Sequence, residues 1–90
     1  MKNYRFIVTG KVQGVFYRKN VYKNSIKDGF SGYVKNLKDK SVEACVTCED
    51  DKLESFIEIL KKGSPKSVVK TIDKYECDEI FSGDFKIKYD

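Results

Sequence analysis

The sequence predicts an α+β sandwich of the ferredoxin-like plan: βαββαβ with a short terminal strand, its two helices on one face of an antiparallel sheet. Three observations lead there. Two stretches carry apolar residues at helical spacing, each lies between segments rich in β-formers or strictly alternating, and glycine-bearing breaks separate them. With 90 residues there is room for one core only, so residues 1–90 are expected to form a single domain. No linker, repeat or low-complexity segment divides the chain.

Residues 3–9, Asn-Tyr-Arg-Phe-Ile-Val-Thr, read as the first strand. Gly10 to Gly14 break it with two glycines. A helix follows from about Tyr17 to Asp28, with Tyr17, Val21, Tyr22 and Ile26 near one face and Lys19, Lys23 and Lys27 on another. Gly29 is a natural stop. Residues 30–36 read as the second strand, 37–40 as a turn and 42–49 as the third strand, the short spacing implying an antiparallel hairpin. Glu49, Asp50 and Asp51 suit the positive end of a second helix. Its stripe is Leu53, Phe56, Ile57 and Leu60, and Gly63-Ser64-Pro65 ends it. Val68, Val69, Ile72 and Tyr75 mark a fourth strand, and Phe85 to Tyr89 alternate as the short last one.

Composition narrows the chemistry. Eighteen basic residues against fourteen acidic give a formal charge of +4, a mild preference for anions and far from a nucleic-acid-binding face. Histidine is absent, which removes every Ser–His, Cys–His and His–zinc scheme. No apolar run approaches the ~18 residues of a membrane span. The N-terminal Met1-Lys2-Asn3-Tyr4-Arg5 is too polar for a secretory signal, so the cytoplasm is the expected compartment.

Cys45 and Cys48 spell C-x-x-C. On a strand, residues three apart point to opposite faces. Cys48 should then face inward with Val42, Ala44 and Val46, and Cys45 outward with Glu43 and Thr47. Such a pair neither chelates a metal nor forms a thioredoxin-like couple, which needs a helix start. Cys77 has no partner in sequence.

The segment Gly10-Lys11-Val12-Gln13-Gly14-Val15-Phe16-Tyr17-Arg18 joins a strand to a helix and sets an arginine in the first helical turn. Free N–H groups at a helix start and in a tight loop favour a phosphate. Arginine adds a permanently charged fork that grips two phosphate oxygens. The segment is neither a Walker loop nor a G-x-G-x-x-G fingerprint. By itself this is a weak signal, and an ordinary connection with a solvated surface arginine is the more usual account of it.

A resemblance tips the balance. Gly10 to Arg18 resembles the signature of the acylphosphatase family: glycine, x, valine, glutamine, glycine, valine, x, an aromatic and arginine. Gly32-Tyr33-Val34-Lys35-Asn36-Leu37, with Asp39 and Val42-Glu43, resembles the family's second signature. Gly63 to Ser67 and Phe85-Lys86-Ile87 are also similar. The likeness implies that phosphate is bound by the backbone of Gln13, Gly14, Val15, Phe16, Tyr17 and Arg18, with the Arg18 side chain, and that Asn36 places the attacking water. Arg18 and Asn36 are thus the implied catalytic pair. The implied reaction is hydrolysis of a small-molecule acyl phosphate, with inorganic phosphate as product and inhibitor and no metal or cofactor. A monomer is expected, with no nucleic-acid or membrane partner. One departure is Lys40, where the family usually has glycine. If the turn needs a left-handed backbone there, a side chain costs about 1–2 kcal/mol.

Two other classes share the scaffold. A non-catalytic anion-binding or regulatory module would keep the loop without turnover. An RNA-recognition module has the same element order, but its third strand carries stacking aromatics. Here residues 42–49 contain none.

Overall fold

The computed structural model describes residues 1–89. The elements run β1 (Lys2–Lys11), α1 (Tyr17–Lys27), β2 (Ser31–Asn36), β3 (Val42–Cys48), α2 (Leu53–Lys62), β4 (Val68–Glu76) and β5 (Lys86–Lys88). The acidic residues expected to open the second helix form a 3-10 turn, Asp50–Lys52, ahead of it.

The sheet order is β4-β1-β3-β2-β5. Four strands are antiparallel, as expected. β5 instead joins β2 in parallel, pairing Tyr33 with Lys86 and Lys35 with Lys88, so the sheet is mixed rather than purely antiparallel. The reason is the route of the chain. β4 and β5 occupy opposite edges, and residues 77–85 must cross between them. The crossing runs over the face away from the helices: Cys77 N–H donates to the Asn3 carbonyl, Phe81 N–H to Thr47 Oγ1, and Ser31 Oγ to the Gly83 carbonyl. Having passed every other strand, the chain enters the far edge running alongside β2.

The core lies between sheet and helices. Tyr4, Phe6 and Val8 of β1 and Val42, Ala44, Val46 and Cys48 of β3 meet Tyr17, Val21, Phe56 and Leu60 of the helices. Phe56 is its hub, with ring centroids 5.7 Å from Phe6, 5.2 Å from Phe30 and 5.9 Å from Phe85. Ile26 is 40% exposed and not core, because the buried row of α1 runs through Tyr17, Val21 and Ser25. On β4, Val69 and Ile72 both pack inward although three apart. A register shift opposite Thr9 and Gly10 adds a residue to β4 and restores the facing.

Cys48 joins the core, whereas Cys45 lies on the other face among Arg5, Glu43 and Tyr33. That face is not open water. Cys45, Glu43 and Thr47 are all buried, covered by neighbouring side chains and the crossing segment. Glu43 accepts from Arg5 Nε and from Tyr33 Oη, both at 2.5 Å. Burial opposes its charge, but these two donors outweigh it and hold its carboxyl below the usual range.

Candidate active site

The site grows from the loop between β1 and α1. Val12 and Val15 are buried and anchor the loop to the core, which leaves Gln13 and Gly14 between them at the surface. Gly14 has φ 72°, a left-handed conformation in which a side chain is strained. Phe16 also lies there, at φ 63°, as the residue that caps α1. A bulky residue in this region persists only where its surroundings hold it. Here Asn20 does so: its backbone N–H and its Nδ2 both donate to the Phe16 carbonyl, at 3.1 and 2.9 Å. One residue back, the Val15 carbonyl accepts from buried Ser64 Oγ at 2.6 Å.

These bonds orient the loop. Its carbonyls are drawn to donors on α1 and on the turn after α2. Among the described residues, the backbone N–H groups of residues 13–18 donate to no protein acceptor. A curve of unpaired N–H groups at a helix start carries partial positive charge and suits an anion.

The loop forms one wall of a cavity of about 270 Å3, whose lining includes Gln13, Gly14, Phe16, Arg18, Asn36 and Tyr89. Arg18, the second residue of α1, is half-buried. Its Nη1 donates to the Lys88 carbonyl at 3.2 Å, and its guanidinium lies over the Tyr89 ring, 4.9 Å from the centroid. β5 thereby stiffens a long side chain that would otherwise sample many rotamers. Among the described residues, the lining holds two cations, Arg18 and Lys19, and no carboxylate.

Asn36 ends β2 on the opposite wall. Its Oδ1 is buried and has no hydrogen-bond partner among the described residues. An unsatisfied buried acceptor costs about 1–3 kcal/mol and is uncommon in a settled structure. Its position relative to the loop is fixed by Gln13, whose Nε2 donates to the carbonyls of both Leu37 and Ser41 at 2.9 Å. The turn is closed from within by Leu37 N–H to the Ser41 carbonyl and by Asp39 Oδ1, which accepts from Ser41 N–H and Oγ. These two bonds hold the Asp39 carboxyl below the usual range.

The sequence-predicted residues divide accordingly. Gln13, Gly14, Phe16, Tyr17, Arg18 and Asn36 all line the cavity, whereas Val15 does not and contributes its side chain to the core. The Tyr17 ring is buried and its hydroxyl donates to the Leu60 carbonyl at 2.8 Å, tying the two helices together. Burial pushes its phenol well above the usual range. Sequence reasoning missed Tyr89 and Ile87 on the rim, the Gln13 side chain as a clamp, and the supports Asn20 and Ser64. Gln13, Ser64 and Ile87 lie in segments that resemble the family, but only the fold brings these residues together and shows what each side chain touches. Among the described residues, no group of three His, Cys, Asp or Glu side chains is placed to hold a metal ion.

Comparison with known proteins agrees with this geometry. The family model described as Acylphosphatase matches residues 4–87. A curated acylphosphatase of Caldivirga maquilingensis is 39% identical over 89 residues, covering 96% of this chain and 93% of its own. The crystal structure of acylphosphatase from Bacillus subtilis superposes with TM-score 0.89 at 40% identity, over 99% of this chain and 100% of that one. The crystal structure of T. kodakarensis HypF also matches, with TM-score 0.87 and 37% identity, but all of this chain corresponds to 12% of that protein. A match spanning both site walls, with near-complete mutual coverage of stand-alone relatives, identifies this chain as a member of the acylphosphatase family.

Proposed function

We propose that this chain hydrolyses the carboxyl–phosphate bond of small acyl phosphates, with Arg18 and Asn36 as its catalytic residues. The observation that carries the reading is the cavity in which unpaired loop amides and Arg18 face Asn36. The phosphoryl oxygens rest on the N–H groups of residues 13–18 and on the Arg18 guanidinium. Water attacks phosphorus in line, the bond from phosphorus to the acyl oxygen breaks, and the electron pair leaves with the carboxylate. Asn36 aims that water through its carboxamide. The water's protons end on phosphate or in solvent.

The residues suit this reaction because it demands little else. A carboxylate is a weak base, with pKa about 4 by analogy with side-chain carboxyls, and departs without a general acid. The phosphoryl transition state is loose, so the water needs little deprotonation before bonding. What remains is charge stabilisation and aim, which fixed donors provide without a metal. Inorganic phosphate, the product, carries the same oxygens and competes for the cradle. We further read residues 1–90 as one domain acting as a cytoplasmic monomer.

The test is release of phosphate from benzoyl phosphate in the presence of a chelator, with inorganic phosphate raising KM and leaving kcat unchanged. A folded protein inert in that assay would favour the second reading, an anion-binding module. The same fold forming a small part of a HypF chain gives that reading its one specific support.

A further inference from the structure

A second concave surface adjoins the anion cavity and takes no part in the hydrolysis described above. It is a groove of about 430 Å3 that shares Phe16 and Lys19 with the cavity. Phe16 is the ridge between them, 70% exposed as a residue although its backbone is held in the left-handed region. Beyond the ridge the wall is Val15 and Pro65, and the rim carries Lys19, Lys23 and Lys66. Lys19 and Lys23 stand one turn apart on α1, and Lys66 faces them from the turn after α2.

The charges here are one-sided. Among the described residues, no acidic residue lines the groove and no ion pair involves these three lysines. Lys27, next in the same helical row, lies in a different depression, lined also by Asp28, Glu58, Lys61 and Lys62, where Glu58 pairs with Lys61.

We propose that this groove is the acyl-group subsite and that it selects acyl phosphates whose acyl group ends in a second anion. The inference rests on the acylphosphatase reading. With the phosphoryl group on the loop amides, the acyl carbons pass over the Phe16 ridge and along Pro65. A carboxylate at the far end then meets Lys23 and Lys66. A neutral acyl group gains the apolar contact alone and leaves the lysines to water. In a benzoyl phosphate, a para carboxylate is carried at the end of the rigid acyl group remote from the phosphoryl oxygen, the end at which the subsite offers its lysines.

The experiment compares para-carboxybenzoyl phosphate with para-methylbenzoyl phosphate, a neutral isostere, each kcat/KM being divided by the substrate's uncatalysed hydrolysis rate. Exposed charge pairs each contribute about 1.5- to fivefold, so contact with two lysines is expected to favour the carboxylate in the wild type by at least about twofold at low salt, a preference that shrinks as salt rises. Lys23→Gln and Lys66→Gln should each lower that ratio by about 1.5- to fivefold. Both positions are exposed, so neither change threatens folding. A wild-type ratio near one overturns the subsite. So does an equal loss on both substrates in the variants, which would mean general steering of phosphate. Hydrolysis of neither substrate overturns the acylphosphatase reading itself, and this inference with it.

Discussion

Gln13 Nε2 lies 2.9 Å from the carbonyl oxygens of both Leu37 and Ser41, so the loop between β1 and α1 is tied to the turn that follows Asn36. The two walls of the cavity come from separate β-connections, and the Gln13 side chain bridges them.

Gln13→Ala removes both bonds, leaving the Leu37 and Ser41 carbonyls only their backbone donors, Lys40 N–H and Leu37 N–H. We expect stability to fall by about 1–2 kcal/mol. kcat should fall by about tenfold or more, since small misplacements of positioned groups are costly. Urea unfolding and steady-state kinetics on benzoyl phosphate read the two effects separately. Full kcat in a destabilised variant would reduce Gln13 to a structural tie.

Arg18→Gln and Asn36→Ala should each lower kcat by about 10²–10³, the usual cost of one fixed transition-state donor. Both residues are partly exposed, so circular dichroism should show a folded protein. Tyr89→Ala, which removes the stacking on Arg18 and one lining residue of the cavity, should lower kcat/KM by about two- to fivefold, matching a contact of about 0.5–1 kcal/mol. Undiminished hydrolysis in Arg18→Gln would refute the assignment.

Lys40 adopts φ 75°, so the turn does require the left-handed backbone that the family's usual glycine provides. Lys40→Gly relieves a strain of about 1–2 kcal/mol against a loss in unfolded-state entropy of about 0.4–1 kcal/mol. The expected net gain is about 0.5–1 kcal/mol. A lower urea midpoint in the variant would contradict this account.

Glu43 sets part of the acid limit. Its carboxyl is held below the usual range in the folded protein, against an unfolded value of about 4.3. A depressed folded pKa stabilises the protein above the unfolded value, and this contribution is lost as pH falls through the folded one. Wild-type stability should therefore drop below about pH 4, and Glu43→Gln should flatten that drop while costing stability at neutral pH. Parallel pH–stability curves for the two proteins would argue against it.

The thiols should differ in reactivity. Burial pushes Cys45 up to about 11 and also raises Cys48, while Cys77 is only partly buried. A thiol reagent at neutral pH should label Cys77 first and reach Cys45 and Cys48 only as the protein opens. Mass spectrometry of a partly labelled sample would decide it, and early modification of Cys45 would be the contrary result.

Local patterning determined much of this protein. The stripe Leu53, Phe56, Ile57 and Leu60, the alternation of β3 and the glycines around the 10–18 loop each follow from side-chain periodicity or backbone permissiveness, which a short window contains. The signature residues also marked the two site walls. Tertiary structure alone decided that β5 pairs in parallel, because that depends on the route residues 77–85 take across the sheet. It decided that Cys45 and Glu43 are buried, because what covers them comes from β1, β2 and that crossing. It also decided that Tyr89 meets Arg18 and Gln13 meets Leu37, contacts between residues 71 and 24 positions apart. No periodicity encodes such meetings; they appear only when the core has set where each strand ends.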